Sequence, residues 1–223
     1  MLTSHQLGTN TGLRVSKLCL GTMNFGEPGQ GHQGDWTLGA DDARPIFQAA
    51  IEHGVNYFDC ADIYGIGASE IVVGKLLKEL LPRDEYTLTT KVSMPMGRAP
   101  NQGGLSRKHI MEGIDQSLKR LGHDYVDQLI IHRHPHGIPG LAQTPIEETM
   151  EALNDVVKAG KALYLGASSM FAWQFAELQM TAAHNGWTKF ISMQNHLNLI
   201  YREEEREMIP YCVKTGVAVT PWS

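Results

Sequence analysis

The sequence predicts an α/β fold in which a parallel β-sheet is covered by helices. Three observations lead there. Apolar runs of strand length, such as "VNYFDCA", "YVDQLIIHR" and "ALYLGAS", alternate with amphipathic stretches of helical length. The runs are near-continuously apolar, as strands buried on both faces are. One strand–helix unit recurs every ~30 residues or more, the length of a βα crossover.

The elements follow in order. "HQLGTNTGLRVS" reads as a hairpin, with Asn10 and Gly12 near its turn. "KLCLGTM" is the first parallel strand, and residues 41–53 form a helix closed by Gly54. "VNYFDCA" is the second strand, followed by a helix over 69–81 that Pro82 stops. "EYTLTTKVS" is the third. In the next helix, 105–121, Ser106 can cap, Leu105 can staple onto Ile110, and Gly122 holds the C′ position. "YVDQLIIHR" is the fourth strand. Thr144 and Glu147 then make a capping box with Pro145 at N1, and that helix runs to Gly160. "ALYLGAS" is the fifth strand, with a helix over 171–185 after it. "FISMQNH" is the sixth, and residues 202–214 are helical. "GVAVTPWS" begins the seventh.

An open doubly wound sheet and a (β/α)8 barrel share this pattern. No G-x-G-x-x-G follows the first strand, which counts against a dinucleotide-binding doubly wound domain. Gly65-Ile66-Gly67 lacks a third glycine and follows the second strand, so it reads as turn chemistry.

Composition narrows the function classes. With 223 residues of ordinary globular composition, one domain over 1–223 is expected. The net charge is −5 and no basic stripe is present, which excludes nucleic acid as the expected partner. No apolar stretch approaches the ~20 residues of a membrane span. The start, "MLTSHQLGTN", has no basic or apolar leader pattern. Cys19, Cys60 and Cys212 match no CxxC or zinc spacing, as expected of free thiols in a reducing cytoplasm. "YREEEREM" reads as a solvated helix face with local pairs such as Arg202–Glu205.

The chemistry gathers at the C-terminal strand ends. Asp59 follows the second strand, Lys91 the third and His132 the fourth. Ser168 and Ser169 follow the fifth, Gln194 and Asn195 end the sixth, and Trp222 and Ser223 the seventh. In a barrel, that rim carries the active site. A tyrosine alone, with a pKa of ~10, is a poor acid at neutral pH. Lys91 can lower the Tyr64 pKa, and Asp59 can hold Lys91 by ion pairing. His132 can donate a hydrogen bond to a carbonyl oxygen. Together the four would polarise a carbonyl and protonate the alkoxide that forms. The set has no nucleophile and no metal cage, so it calls for an external hydride donor such as a nicotinamide. A structural Asp59–Lys91 pair beside a packing Tyr64 is the plainer alternative. "HRHPH" offers His132 and His134 but no third ligand, so no metal is expected. Phe25 and Trp36 either line a substrate pocket or pack the loop after the first strand.

The segments "LCLGTMNFG", "GVNYFDCADIYGIGASEIVVGKLL", "TTKV", "LKRLGHDYVDQLIIHR", "TPIEETMEALNDVVKAGKALYLGASSM", "SMQNHLNLIYREEEREMIPYC" and "VAVTPWS" resemble aldo-keto reductases over nearly the whole chain. The resemblance is strongest to bacterial reductases carrying "GASSM" and "YREEEREM". It implies a TIM barrel with an N-terminal β-hairpin, and an aldehyde or ketone, a sugar among them, reduced by NADPH. It makes Tyr64 the general acid, Lys91 and Asp59 its tuning pair, and His132 the group that orients the carbonyl. Ser168, Ser169 and Gln194 would bind the nicotinamide carboxamide, Trp222 would stack on the ring with Ser223 beside it, and Thr22 and Met23 would lie alongside. Channel-associated subunits in the same family imply an alternative, a cofactor-binding module without catalysis.

Two departures from the family pattern stand out. "HRHPHGIPGLAQTP" is longer than the corresponding loop and is expected to alter the substrate rim. The sequence stops at Ser223, where the resemblance implies an eighth βα unit, so the expectation is either a fragment whose barrel lacks that unit, with an inactive piece of a reductase as a further alternative, or a sheet that a partner closes. Its open sheet edges would favour self-association.

Overall fold

Strands β1 (Ser4–Gln6) and β2 (Arg14–Ser16) pair antiparallel, and Leu7 N–H donates to Leu13 O at 2.8 Å to close the expected hairpin. The computed structural model describes residues 3–29, 34–136 and 143–223. After the hairpin come β3 (Leu20–Gly21), β4 (Tyr57–Asp59), β5 (Thr87–Val92), β6 (Val126–Ile131), β7 (Ala162–Ser168), β8 (Phe190–Gln194) and β9 (Ala218–Val219). These seven form one parallel sheet in chain order. Between and after them lie α1 (Ala40–Glu52), α2 (Ala68–Leu80), α3 (Arg107–Leu121), α4 (Ile146–Lys158), α5 (Ala172–Asn185) and α6 (Met208–Thr215).

Every residue of β5 and β6 is buried, as their continuous apolar runs require. The outer face of the sheet meets the helices in one core that includes Phe47, Phe58, Leu76, Ile110, Leu153 and Phe175. The other face turns inward on itself. Tyr57 Oη reaches Gln128 Oε1 at 3.3 Å, Gln128 Nε2 reaches Ser192 Oγ at 2.8 Å, and Gln194 Nε2 reaches Asp59 Oδ1 at 3.1 Å. The last bond joins β8 to β4, four strands apart in the sheet, so the sheet is curled. Leu7 and Val15 of the hairpin pack on Tyr57 and Ile191 and cover the N-terminal end of that interior. Among the described residues the architecture is a curled sheet of seven parallel strands with helices outside, a TIM barrel left open between β3 and β9. A cavity of about 640 Å³ occupies the opening, lined by hairpin residues, Cys19, Tyr57 and Trp222.

Local signals place the helices, with two corrections. Ser106 caps α3 by accepting from His109 N–H, and Gly122 follows the helix at φ 66°. Thr144 does not cap α4. Pro145 takes the cap position with ψ 138°, and no side chain caps the helix. The extended ψ of Pro145 moves the helix start one residue on, to Ile146. The helix expected over 202–214 is also shorter. Glu203–Glu205 forms an isolated 3₁₀ turn, and α6 starts at Met208. Pro210 explains the break, because a helix continued from 202 would drive its ring into the carbonyl four residues earlier. The Arg202–Glu205 pair does form, with Nη2 at 2.5 Å from Oε1. The helices α2 and α3 touch at Gly74, where an added Cβ would lie 2.0 Å from Leu121 O. No helix among the described residues is long and apolar enough to cross a membrane. Of the long loop after β6, residues 137–142 lie outside the described residues.

Candidate active site

Strand register brings the first three residues of the site together. Asp59 ends β4 opposite Thr89 of β5, and Lys91, two positions on, shares the inward face with Thr89. Thr89 Oγ1 donates to Asp59 Oδ1 at 2.8 Å. Lys91 Nζ lies 2.6 Å from Asp59 Oδ2, 2.8 Å from Cys60 O and 3.1 Å from Tyr64 Oη. An ammonium has three donors, and all three are used.

Tyr64 is aimed by the turn that follows β4. The turn Tyr64–Gly67 runs through Gly65 at φ 58°, Ile66 at φ 50° and Gly67 at φ 90°, which reverses the chain into α2. Glycine adopts such angles freely, whereas a β-branched isoleucine is strained there. The turn is braced from behind. Buried Glu70 accepts from Arg120 Nε and Thr90 Oγ1, each at 2.6 Å. Beside it, Asp62 is buried with both carboxylate oxygens unpartnered.

His132 enters from the end of β6, its N–H donating to Val92 O at 2.9 Å. Its ring meets Tyr64 edge to face, with centroids 5.9 Å apart. Nδ1 is buried without a partner, so Nε2 is the ring nitrogen with access to the cavity.

Burial and charge set the protonation states. Burial opposes the charged Lys91, but Asp59 and then Tyr64 outweigh it and raise the Lys91 pKa. Burial, then Lys91 and Arg133, hold His132 well below the usual histidine range, so its imidazole is neutral. For Tyr64, burial pushes the phenol up, Lys91 pulls it down by less, and Asp59 adds to the rise. The net shift is opposite to the one expected from the neighbouring ammonium alone. Desolvation of the phenolate is the larger effect.

These groups face a cavity of about 300 Å³ that Asp59, Tyr64, His132, Ser168, Gln194 and Trp222 help to line. The larger opening between β3 and β9 touches Asp59 and Gln194 but not Tyr64 or His132. Ser168 Oγ donates to Gln194 O at 2.8 Å and lies 3.1 Å from Ser169 Oγ. Ser169 Oγ in turn accepts from Trp222 Nε1 at 3.1 Å. The indole stacks one face on His196 at 4.5 Å. Ser223 and Met23 complete the mouth. Thr22 also lines the cavity, but its hydroxyl is committed to Asp59 O at 2.9 Å. Asn195 turns aside to donate to Glu204. Neither proposed substrate residue reaches the cavity. Phe25 is buried in the core against Phe47, and Trp36 is half exposed on the loop after β3. His134 turns to His136, whose N–H donates to its Nδ1 at 3.2 Å. Two residues of the site were not anticipated. Thr89 carried a signal, its two-residue spacing from Lys91 on a strand. Arg133 carried only its place after His132.

A curled parallel barrel with Asp59, Lys91, Tyr64 and His132 converging on its C-terminal rim defines a class of α/β proteins with a polar site at the strand ends. The sequence profile of the aldo/keto reductase family matches residues 17–223, and the chain belongs to that family. It is 47% identical over 232 residues to versiconal hemiacetal acetate reductase of Aspergillus parasiticus, covering 96% of this chain and 65% of that protein. An aldo-keto reductase of Fusarium vanettenii is 45% identical, and one of Alternaria alternata 43%; each match covers 96% of this chain and 62% of the relative. The chain thus spans a little under two thirds of the length of these relatives.

Proposed function

We propose that the chain carries the catalytic residues of an NADPH-dependent reductase of aldehydes or ketones, sugars among them. The observation that carries the reading is buried Lys91 Nζ, held at 2.6 Å from Asp59 and 3.1 Å from Tyr64 Oη, two residues that line the cavity. A structural ion pair has no need of the phenol. The residues at the mouth fit a nicotinamide. Gln194 gives its amide N–H to Asp59 and keeps its amide oxygen for a carboxamide donor, the Ser168 and Ser169 hydroxyls lie beside it, and Trp222 supplies a flat apolar face. Bound NADPH would supply the hydride.

The protein residues do the rest. Neutral His132 donates from Nε2 to the substrate carbonyl oxygen and orients it. As the carbonyl carbon gains hydride, its oxygen becomes an alkoxide and takes the proton from Tyr64 Oη. Lys91 stabilises the phenolate left behind, and Asp59 keeps Lys91 charged and in place. The reading places the protein in the cytoplasm, where thiols such as buried Cys60 and Cys212 stay reduced. It also includes self-association of this chain through the β3 and β9 edges, which leave ladder groups unpaired.

The test is oxidation of NADPH in the presence of a generic aldehyde, followed by absorbance. Aldehyde-dependent turnover is expected. NADPH binding without turnover would instead favour the non-catalytic module. Sedimentation velocity checks the association, and a monodisperse monomer would refute it.

A further inference from the structure

Arg133 is a residue of the site that reduction of a simple carbonyl does not require. It follows His132 at the end of β6 and lines the same cavity as Tyr64 and His132. Its guanidinium makes a single hydrogen bond among the described residues, from Nη1 to His132 O at 2.8 Å. The other arginines of intermediate burial close on carboxylates: Arg44 on Glu79 at 2.6 Å, Arg83 on Asp127 at 2.7 Å and Arg120 on Glu70 at 2.6 Å. Arg133 has no such partner among the described residues.

The charges around the cavity make this informative. Asp59 is neutralised by Lys91 at 2.6 Å, and His132 is held neutral. Arg133 is therefore a positive charge on the wall with no ion-pair partner among the described residues. A partly buried cation without a counter-ion is costly, and burial does depress the Arg133 pKa, Tyr64 opposing. With Nη1 committed to the backbone, the Nε–Nη2 edge remains. That edge presents two parallel N–H donors, the fork that grips a carboxylate.

We propose that Arg133 binds a carboxylate on the substrate while the substrate carbonyl lies at Tyr64 and His132, so that the preferred substrates are small carbonyl compounds bearing a carboxylate. The proposal rests on the reductase reading for its carbonyl half and on Arg133 alone for its anionic half. A cavity of about 300 Å³ suits an acid the size of a formylbenzoate.

Two measurements separate those halves. The first is equilibrium binding of benzoate and of benzyl alcohol, read by tryptophan fluorescence, since Trp222 lines the cavity. Wild type should prefer benzoate. Arg133→Met should lose roughly ten- to hundredfold in benzoate affinity with benzyl alcohol unchanged, and Arg133→Lys should recover part of it. The second is the ratio of kcat/KM for 4-carboxybenzaldehyde to that for benzaldehyde at saturating NADPH, which should fall in Arg133→Met by a similar factor. Benzoate affinity independent of Arg133 overturns the proposal. So does an equal loss on both aldehydes, which would mean that Arg133 serves the cofactor or the scaffold. Arg133-dependent benzoate binding without turnover of either aldehyde sinks the reductase reading and leaves the anion site standing.

Discussion

Replacing Lys91 by methionine keeps the length of the side chain and removes its charge. The ammonium is fully buried and gives its three donors to Asp59, Cys60 O and Tyr64. Removing one partner of a buried ion pair costs ~3–5 kcal/mol. Asp59 would still accept from Thr89 and Gln194 and would still open onto the cavity, so the lower end, about 3 kcal/mol, is expected. Urea m-values are ~1–3 kcal/mol/M, so the midpoint should fall by roughly 1–3 M at neutral pH. The pH dependence has a definite sign. The folded Lys91 pKa is raised, so the pair stabilises fully below the unfolded lysine value of ~10.4 and is lost as pH climbs through the folded value. That part of the alkaline decline should vanish in Lys91→Met. Tyr64 loses the charge that pulls its phenol down and keeps the Asp59 charge that pushes it up. Its ionisation, followed by tyrosinate absorbance, should therefore move to higher pH, and the pH–rate profile with it. A midpoint shift worth under about 1 kcal/mol, together with an unmoved tyrosinate titration, would refute the reasoning.

Tyr64→Phe should lower the reduction rate by roughly 10²–10⁴-fold while NADPH binding holds, and a rate within twofold of wild type in steady-state assays would remove Tyr64 as the acid. Asp62→Asn should stabilise the fold at neutral pH. Burial, then Glu70, raise the Asp62 pKa, so wild type loses stability as pH rises from the unfolded value of ~3.9 toward the folded one. Urea midpoints of the two proteins should coincide below that window and separate above it. Gly74→Ala should destabilise, although alanine is ordinarily favoured over glycine in a helix by about 1 kcal/mol, because its Cβ would meet the Leu121 carbonyl at 2.0 Å. A raised thermal midpoint would show that α2 and α3 can separate at no cost.

The strands and helices were legible because burial writes itself into pattern. The runs in β5 and β6 are apolar at nearly every position because both faces are covered. Ser106 and Gly122 mark the ends of α3 because the needs of a helix terminus are local. Pro145 was harder to place, since a proline near a helix start fits either of two neighbouring boundaries, and Pro210 lay inside a charged stretch whose helical pattern hid the break. Asp59, Lys91 and His132 stood out as polar groups at the ends of apolar strands. What could not be read was distance across the fold. Phe25 follows the first strand in sequence, yet its ring turns into the core against Phe47. The Tyr64 shift also escaped a reading from charge alone, because the competing burial depends on neighbours far away in the chain.

The bond from Gln194 to Asp59 ties the shape of the whole sheet to the acidity of one phenol. Gln194 reaches that carboxylate across the interior, so the reach depends on how tightly the sheet is rolled. Unrolling would withdraw the amide first and leave Oδ1 with Thr89 alone. The carboxylate would then draw more strongly on Lys91, and the ammonium would have less to offer Tyr64. The curvature of the sheet thus sets which hydrogen bonds Asp59 receives, and through Asp59 how the ammonium sits beside Tyr64.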